Sequence, residues 1–212
     1  MVDASMRDQL KSLGTSTLYE AQGRHGAFPP AIRPVWKGAF VAGPAFTVRV
    51  RPGDNLALHH AVALASPGDV LVVDCGGYAD SGVWGEVLSV AAKHRGIAGL
   101  IVDGSVRDIE RIEALGFPVF SRGVSMGGTS KDDAGTLGGT LSFGSLGVTA
   151  GDMVVGDGDG VVAIAASEFD TVVNAAIDRE EREQAMMRAL GEGKLTIELM
   201  DLRPPSQQGA TG

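Results

Sequence analysis

The strongest constraint on this chain is the alternation it shows over residues 69–120. Residues 69–74 (DVLVVD) form a short apolar run bounded by Pro67-Gly68 and Gly76-Gly77, the pattern of a buried strand. From Glu86 the period changes, and Val87, Leu88, Val90, Ala91 and Ala92 fit one helical face. Lys93, His94 and Arg95 place cations at the negative end of that helix, and Gly96 suits the left-handed position just beyond it. Leu100-Ile101-Val102 reads as a second buried strand. Ile109, Ile112 and Leu115 mark a short helix stopped at Gly116, and residues 117–120 are a third strand. Strand, loop, helix, strand, turn, helix, strand is the order of an α/β domain.

Two places in this unit carry polar groups that packing alone does not explain. The first is the loop Gly82-Val83-Trp84-Gly85 running into Glu86. Amides at a helix N-terminus are unpaired donors that attract an anion such as a carboxylate, and glycine lets backbone approach a ligand. An ordinary strand-to-helix connection would use glycine here too. The loop is no dinucleotide fingerprint, because the first Gly of G-x-G-x-x-G is missing, and no G-x-x-x-x-G-K-[ST] occurs. The second place is the turn 103–108 (DGSVRD). Arg107 offers a planar, permanently charged fork to a carboxylate or enolate oxygen. Asp108 can hold a hard divalent cation, cap the next helix, or join a surface ion pair. Strand ends in α/β proteins are where sites are built.

Together these residues resemble a known family. Glu86, then twenty residues, then Arg107-Asp108 is the spacing of the class II pyruvate aldolases that cleave 4-hydroxy-4-methyl-2-oxoglutarate and 4-carboxy-4-hydroxy-2-oxoadipate. Those enzymes share a fold with the regulator-of-ribonuclease-E-activity A (RraA) proteins. The aldolases have Asp where this chain has Glu86, and the ribonuclease regulators lack the Asp after the Arg. The resemblance implies an RraA-like α/β fold: a layered α-β-β-α sandwich with a central mixed sheet, in a swivelling β/β/α arrangement. It implies that Asp108 is the protein ligand to Mg²⁺ or Mn²⁺, with water in most other positions. Arg107 would bind the keto oxygen and stabilise the enolate. The amides of Gly82, Val83, Trp84, Gly85 and Glu86 would hold the pyruvyl carboxylate, and Glu86 would position water for proton transfer. The family also places a glutamate of the C-terminal helix in the neighbouring subunit's active site; counting back from 190–193 (LGEG), that residue is Glu183. Homotrimers or homohexamers with interfacial sites are expected on the same ground. A non-catalytic regulator binding a ribonuclease or helicase is the alternative.

With 212 residues and 44% apolar content, the chain reads as one domain over 1–203, with a C-terminal helix at 168–190 and a tail at 204–212 expected to be disordered. A net charge of −8 argues against nucleic acid or an anionic membrane as partner, so an anionic keto acid would need the local charge of Arg107 and a metal. The lone Cys75 excludes an intrachain disulfide and reads as a small buried residue. The start lacks a basic segment followed by an apolar run, and no stretch reaches transmembrane length, so a cytoplasmic protein is expected.

Residues 6–22 predict a helix interrupted at Gly14, and Glu20 and His25 read as surface groups. Residues 40–50 predict a strand broken or bent at Gly43-Pro44. Asp54 is a cap for a helix over 55–65 with Leu56, His59, Val62 and Ala63 on one face. The adjacent His59 and His60 cannot share a helical face as a metal pair. Residues 121–148 read as a long glycine-rich loop, a candidate lid or subunit contact. Residues 152–155 and 160–165 predict a hairpin around Gly156-Asp157-Gly158-Asp159, and Ser167 with Asp170 resembles a capping arrangement for the last helix.

Overall fold

A computed structural model describes residues 3–202, and its organisation follows from one strand that serves two halves of a sheet. Strand β2 (Val41–Arg49), after the two-residue β1 (Arg33–Pro34), does not break at Gly43-Pro44. It changes partner there instead. Through Pro44 it pairs antiparallel with β10 (Met153–Gly156); from Ala45 it pairs parallel with β3 (Val70–Asp74). The sheet runs β1-β6-β5-β3-β2-β10-β11, with β5 (Gly99–Val106), β6 (Val119–Val124) and β11 (Val161–Ile164); the short β4 (Gly82–Trp84) and β7 (Thr136–Leu137) pair with β5 and β2.

Strand periodicity then sorts the core into three layers. Val41 and Ala45 of β2, Val70 and Val72 of β3, Ile101 of β5, Val154 of β10, and Val161 and Ala163 of β11 share one inner cluster. The small hairpin β8 (Thr140–Phe143)–β9 (Leu146–Thr149) closes it with Leu141, Phe143 and Val148. On the opposite face, Leu71, Val73, Leu100 and Val102 pack under helices α2 (Leu56–Leu64), α3 (Glu86–His94) and α4 (Ile109–Leu115). Ala42, Val155, Val162 and Ile164 pack under α1 (Ala4–Ala21) and α5 (Phe169–Gly191). Helices on the outside of two strand layers give the expected α-β-β-α arrangement. A last short helix, α6 (Thr196–Leu199), follows. Among the described residues no helix is long and apolar enough to cross a membrane. The expected tail at 204–212, with the boundary at 203, lies outside the described residues.

The interruption expected at Gly14 is present, and several other local expectations are corrected. Gly14 (φ 74°) kinks α1, and the freed Thr15 amide and hydroxyl donate to the Asp157 carboxylate at 2.8 and 2.7 Å. The Asp-Gly turn of the β10–β11 hairpin thus caps the second half of the helix. The buried stripe of α2 is Ala57, Leu58, Ala61 and Val62, so of the expected face only Val62 is in it, while Leu56 is half-buried and His59 and Ala63 are exposed. In α3 the buried residues are Leu88, Ser89 and Ala92, while Val87 and Val90 are exposed. Ser167 does not cap α5, whose N-cap is Glu168 with no side-chain bond. The glycine-rich stretch after Phe120 is largely β6 to β9, with an irregular segment at 125–135.

Candidate active site

Strand β5 is longer than its apolar centre suggests. Asp103, Gly104 and Ser105 are buried and in the strand, because Asp103 pairs with Asp74 of β3 and Ser105 is flanked by β4 and β6. The turn expected at 103–108 is therefore reduced to Arg107-Asp108. The Gly82–Trp84 segment is likewise strand rather than loop, with Gly82 opposite Ser105 and Trp84 opposite Val106. The chain leaves the sheet side by side at Gly85-Glu86 and at Arg107-Asp108, and the Arg107 amide donates to Trp84 O at 2.8 Å.

This closeness explains two glycines. A Cβ on Gly85 would stand 2.5 Å from Asp108 Oδ2 and 3.1 Å from Arg107 Cγ. A Cβ on Gly82 would lie 2.9 Å from Arg107 Cβ and collide with Ser125 O. Gly85 has φ −159°, which any residue adopts, so the demand there is for space. Trp84 is buried by stacking on Phe117, and its Nε1 donates to Ser89 Oγ at 2.7 Å. Its ring anchors β4 to α3, so only its backbone is offered to a ligand.

Asp108 sits in the left-handed region, φ 59°, ψ 36°. A non-glycine residue there costs about 1 kcal/mol or more. It stands at the N-cap of α4, but its side chain makes no capping bond there. Its Oδ2 instead accepts the Glu86 amide at 3.1 Å, at the positive end of α3, and Arg107 Nε is 3.7 Å from the same oxygen. Two of the five amides expected to hold a substrate carboxylate, those of Gly82 and Glu86, thus already have protein acceptors, Gly127 O and Asp108. Among the described residues no hydrogen-bond donor reaches Asp108 Oδ1, and no cluster of three or more His, Cys, Asp or Glu could hold a metal. One half-exposed carboxylate with a spare oxygen, open to water, suits Mg²⁺ or Mn²⁺, which keep much of their hydration and take one or two carboxylates. It does not suit a closed zinc site.

Gly82, Val83, Trp84, Gly85, Arg107 and Asp108 line one cavity of about 210 Å³. Glu86 and Glu183 do not. The Glu86 carboxylate turns to Arg111 of α4 at 3.0 Å, and Glu183 pairs with Arg179 at 2.8 Å on α5. A larger cleft of about 450 Å³, between the end of α1 and β11, holds none of the expected site residues.

The cavity's other wall is Asn55, His59 and Lys131; one of the two adjacent histidines was a candidate for the ligand cleft, whereas Asn55 and Lys131 were missed. Asn55 is buried; its Nδ2 donates to Val83 O at 3.0 Å and its Oδ1 has no partner. The His59 pKa is lowered, by burial first and then by the charges of Lys131 and His60. The only hints in the sequence were a histidine pair and one lysine in a glycine-rich run.

The comparisons with known proteins decide the family. The RraA-like model, described as Aldolase/RraA, matches residues 4–163. The chain belongs to this RraA-like family. A relative from Halalkalibacterium halodurans, provisionally named 4-hydroxy-4-methyl-2-oxoglutarate aldolase, is 35% identical over 89% of this chain and 90% of its own. Among solved RraA-like folds, an uncharacterized protein from Pseudomonas syringae is 29% identical with a TM-score of 0.82, covering 92% of each chain. RraAS2 of Streptomyces coelicolor, titled an unusual member of the RNase ES inhibitor RraA protein family, is 29% identical with a TM-score of 0.74, covering 89% of this chain and all of its own. The RraA-like family thus includes proteins named as aldolases and proteins named as ribonuclease inhibitors.

Proposed function

We propose that this protein is a divalent-metal-dependent carbon–carbon lyase, a class II pyruvate aldolase. Its substrate is 4-hydroxy-4-methyl-2-oxoglutarate or a related 4-hydroxy-2-oxo dicarboxylate, cleaved to pyruvate and a second keto acid. The observation that carries the reading is Arg107 beside a strained Asp108 with a spare oxygen, in a cavity kept open by Gly82 and Gly85. Asp108 would hold Mg²⁺ or Mn²⁺, which would supply Lewis-acid charge at the reacting end of the substrate. Arg107 donates to the C2 oxygen, where negative charge develops. Lys131 and His59, across the cavity, take the second carboxylate. A proton leaves the C4 hydroxyl to water, and the Glu86 carboxylate reaches that water only by leaving its ion pair with Arg111. The C3–C4 bond breaks, its electron pair passes into the pyruvate enolate, and C3 then takes a proton. Oxaloacetate reaches the same enolate by losing CO₂, so oxaloacetate decarboxylation accompanies the main reaction.

The reading includes a trimer or hexamer in which Glu183 of a neighbouring copy joins the site. Exposed apolar residues close to the site support it: Val87 lines the cavity, and Val124 pairs with Val106, the residue before Arg107. A second reading, a non-catalytic ribonuclease regulator, draws on the likeness to RraAS2; the Asp108 beside Arg107 weighs against it. The deciding experiment follows pyruvate release from oxaloacetate and from 4-hydroxy-4-methyl-2-oxoglutarate, with and without Mg²⁺ or Mn²⁺, beside Asp108→Ala. Metal-dependent release that the variant loses is expected. No release from either substrate by folded protein with metal would overturn the lyase and favour the regulator.

A further inference from the structure

Asp54 has no exposed surface, yet its carboxylate is committed to a segment far along the chain. Oδ1 accepts the Leu56 amide at 2.8 Å, at the start of α2. Oδ2 accepts the Ser130 hydroxyl at 2.5 Å and the amides of Asp132 and Asp133 at 2.7 and 3.3 Å. Backbone bonds add to the seam: Ser130 N–H to Gly53 O at 2.9 Å, and Asn55 N–H to Ser130 O at 3.1 Å. A buried carboxylate is tolerated only when its lone pairs are filled, and charge-assisted bonds are the strongest that side chains make.

What this clamp fixes is the residue between its two partners. Lys131 stands between Ser130 and Asp132, and among the described residues no carboxylate lies within ion-pair distance of it. Lys131 lines the cavity of Arg107 and Asp108. Its charge also contributes to lowering the His59 pKa, which places the two groups near one another. The segment around it is rich in Gly and Ser and has no helix or strand of its own at 125–135. Left to itself, such a segment would spread the lysine over many positions. Asn55, the next residue after Asp54, lines the same cavity, so one short stretch both anchors the segment and forms part of the wall it faces.

We propose that Asp54 is a positioning residue of this site: through Ser130 and the amides of Asp132 and Asp133 it holds the 128–135 segment so that Lys131 presents its ammonium to the substrate. The proposal rests on the aldolase reading above. It also replaces the expectation of a lid, since a segment tied to a buried carboxylate is a fixed wall.

The test is a double-mutant cycle on oxaloacetate and 4-hydroxy-4-methyl-2-oxoglutarate turnover. Lys131→Ala is expected to raise KM about tenfold or more. Ser130→Ala and Asp54→Asn are expected to raise it several-fold with kcat within about threefold. In the Lys131→Ala background both are expected to change KM by less than about twofold, because the group they position is gone. Ser130→Thr, which keeps the hydroxyl, is expected to restore the unaltered KM. Ser130→Ala retains the Asp54 carboxylate and its amide partners, so it carries the test if Asp54→Asn does not fold. Penalties that add fully in the Lys131→Ala background, or an unchanged KM in Lys131→Ala, overturn the positioning role while leaving the aldolase standing. An unaltered protein that turns over neither substrate removes the aldolase reading and this proposal with it.

Discussion

Replacing Gly85 by Ala adds one methyl group at the most crowded point of the candidate site. The backbone accepts it, since φ −159° is open to any residue. The space does not. The new carbon would lie 2.5 Å from Asp108 Oδ2, and real contacts begin near 3.0 Å, so carboxylate and methyl must part by at least about half an ångström. Arg107 Cγ and Nε, at 3.1 and 3.4 Å, block the easy retreat. The Asp108–Glu86 amide bond, already 3.1 Å, is the contact that gives way. Misplacement of reacting groups by about 1 Å costs about a hundredfold in rate, so kcat/KM is expected to fall by about ten- to a hundredfold. Overpacking costs about 1–3 kcal/mol, and at this half-exposed rim the lower end applies. Pyruvate release coupled to NADH oxidation reads the first quantity, and a thermal melt the second. Unchanged kcat/KM in a folded Gly85→Ala protein would refute the claim that this glycine keeps room for Asp108.

Arg107→Ala is expected to lower turnover by orders of magnitude with little change in melting temperature; near-normal kcat would remove its role at the enolate oxygen. Asp54→Asn is expected to cost about 2–3 kcal/mol at pH 7, measured by urea titration. Burial pushes the Asp54 pKa up, but hydrogen bonds from Ser130, Asp132, Leu56 and Asp133 outweigh it and hold the group well below its ordinary 3.8. A carboxylate with a lowered folded-state pKa stabilises most above its unfolded pKa and loses that contribution as pH falls toward its folded value. The gap between the unaltered protein and Asp54→Asn should therefore be constant near neutrality and narrow below about pH 4, by up to about 1.4 kcal/mol per pH unit; a gap that widens in acid would contradict this. Cys75 is expected to resist thiol reagents at pH 8 until the protein unfolds, because burial first, then Asp74 and Asp103, push its pKa to about 12. Ser89→Ala removes the acceptor of Trp84 Nε1 and should destabilise by about 1–3 kcal/mol, seen as a lowered urea midpoint.

The strands at 70–74 and 100–102 were legible because apolar residues between turn formers leave few alternatives. The extension of β5 through Asp103-Gly104-Ser105 was not, since these small and polar residues become strand only through distant partners, β3 at Asp103 and β4 and β6 at Ser105. The pairing of Glu86 with Arg107-Asp108 was legible as spacing, and the structure brings the two chain segments together. It does not bring the Glu86 side chain into the cavity, because Arg111, one turn into α4, competes for it. Asn55, His59 and Lys131 come from segments separated by most of the parallel sheet. No local pattern announces that they share a wall, and Asp54, read as a helix cap, is a cap that also binds a distant segment.

The change of partner along β2 has a consequence during synthesis. Its second half finds β3 within a few tens of residues, but its first half must wait for β10, about a hundred residues later. At about 5–20 residues per second, a nascent chain carries that half as a bare edge for about 5–20 seconds. An unpaired edge is a template for another chain. Pro44, with no N–H to offer, lies in that half and removes one rung from any stray pairing, while costing the finished sheet a single bond at the point where partners already change.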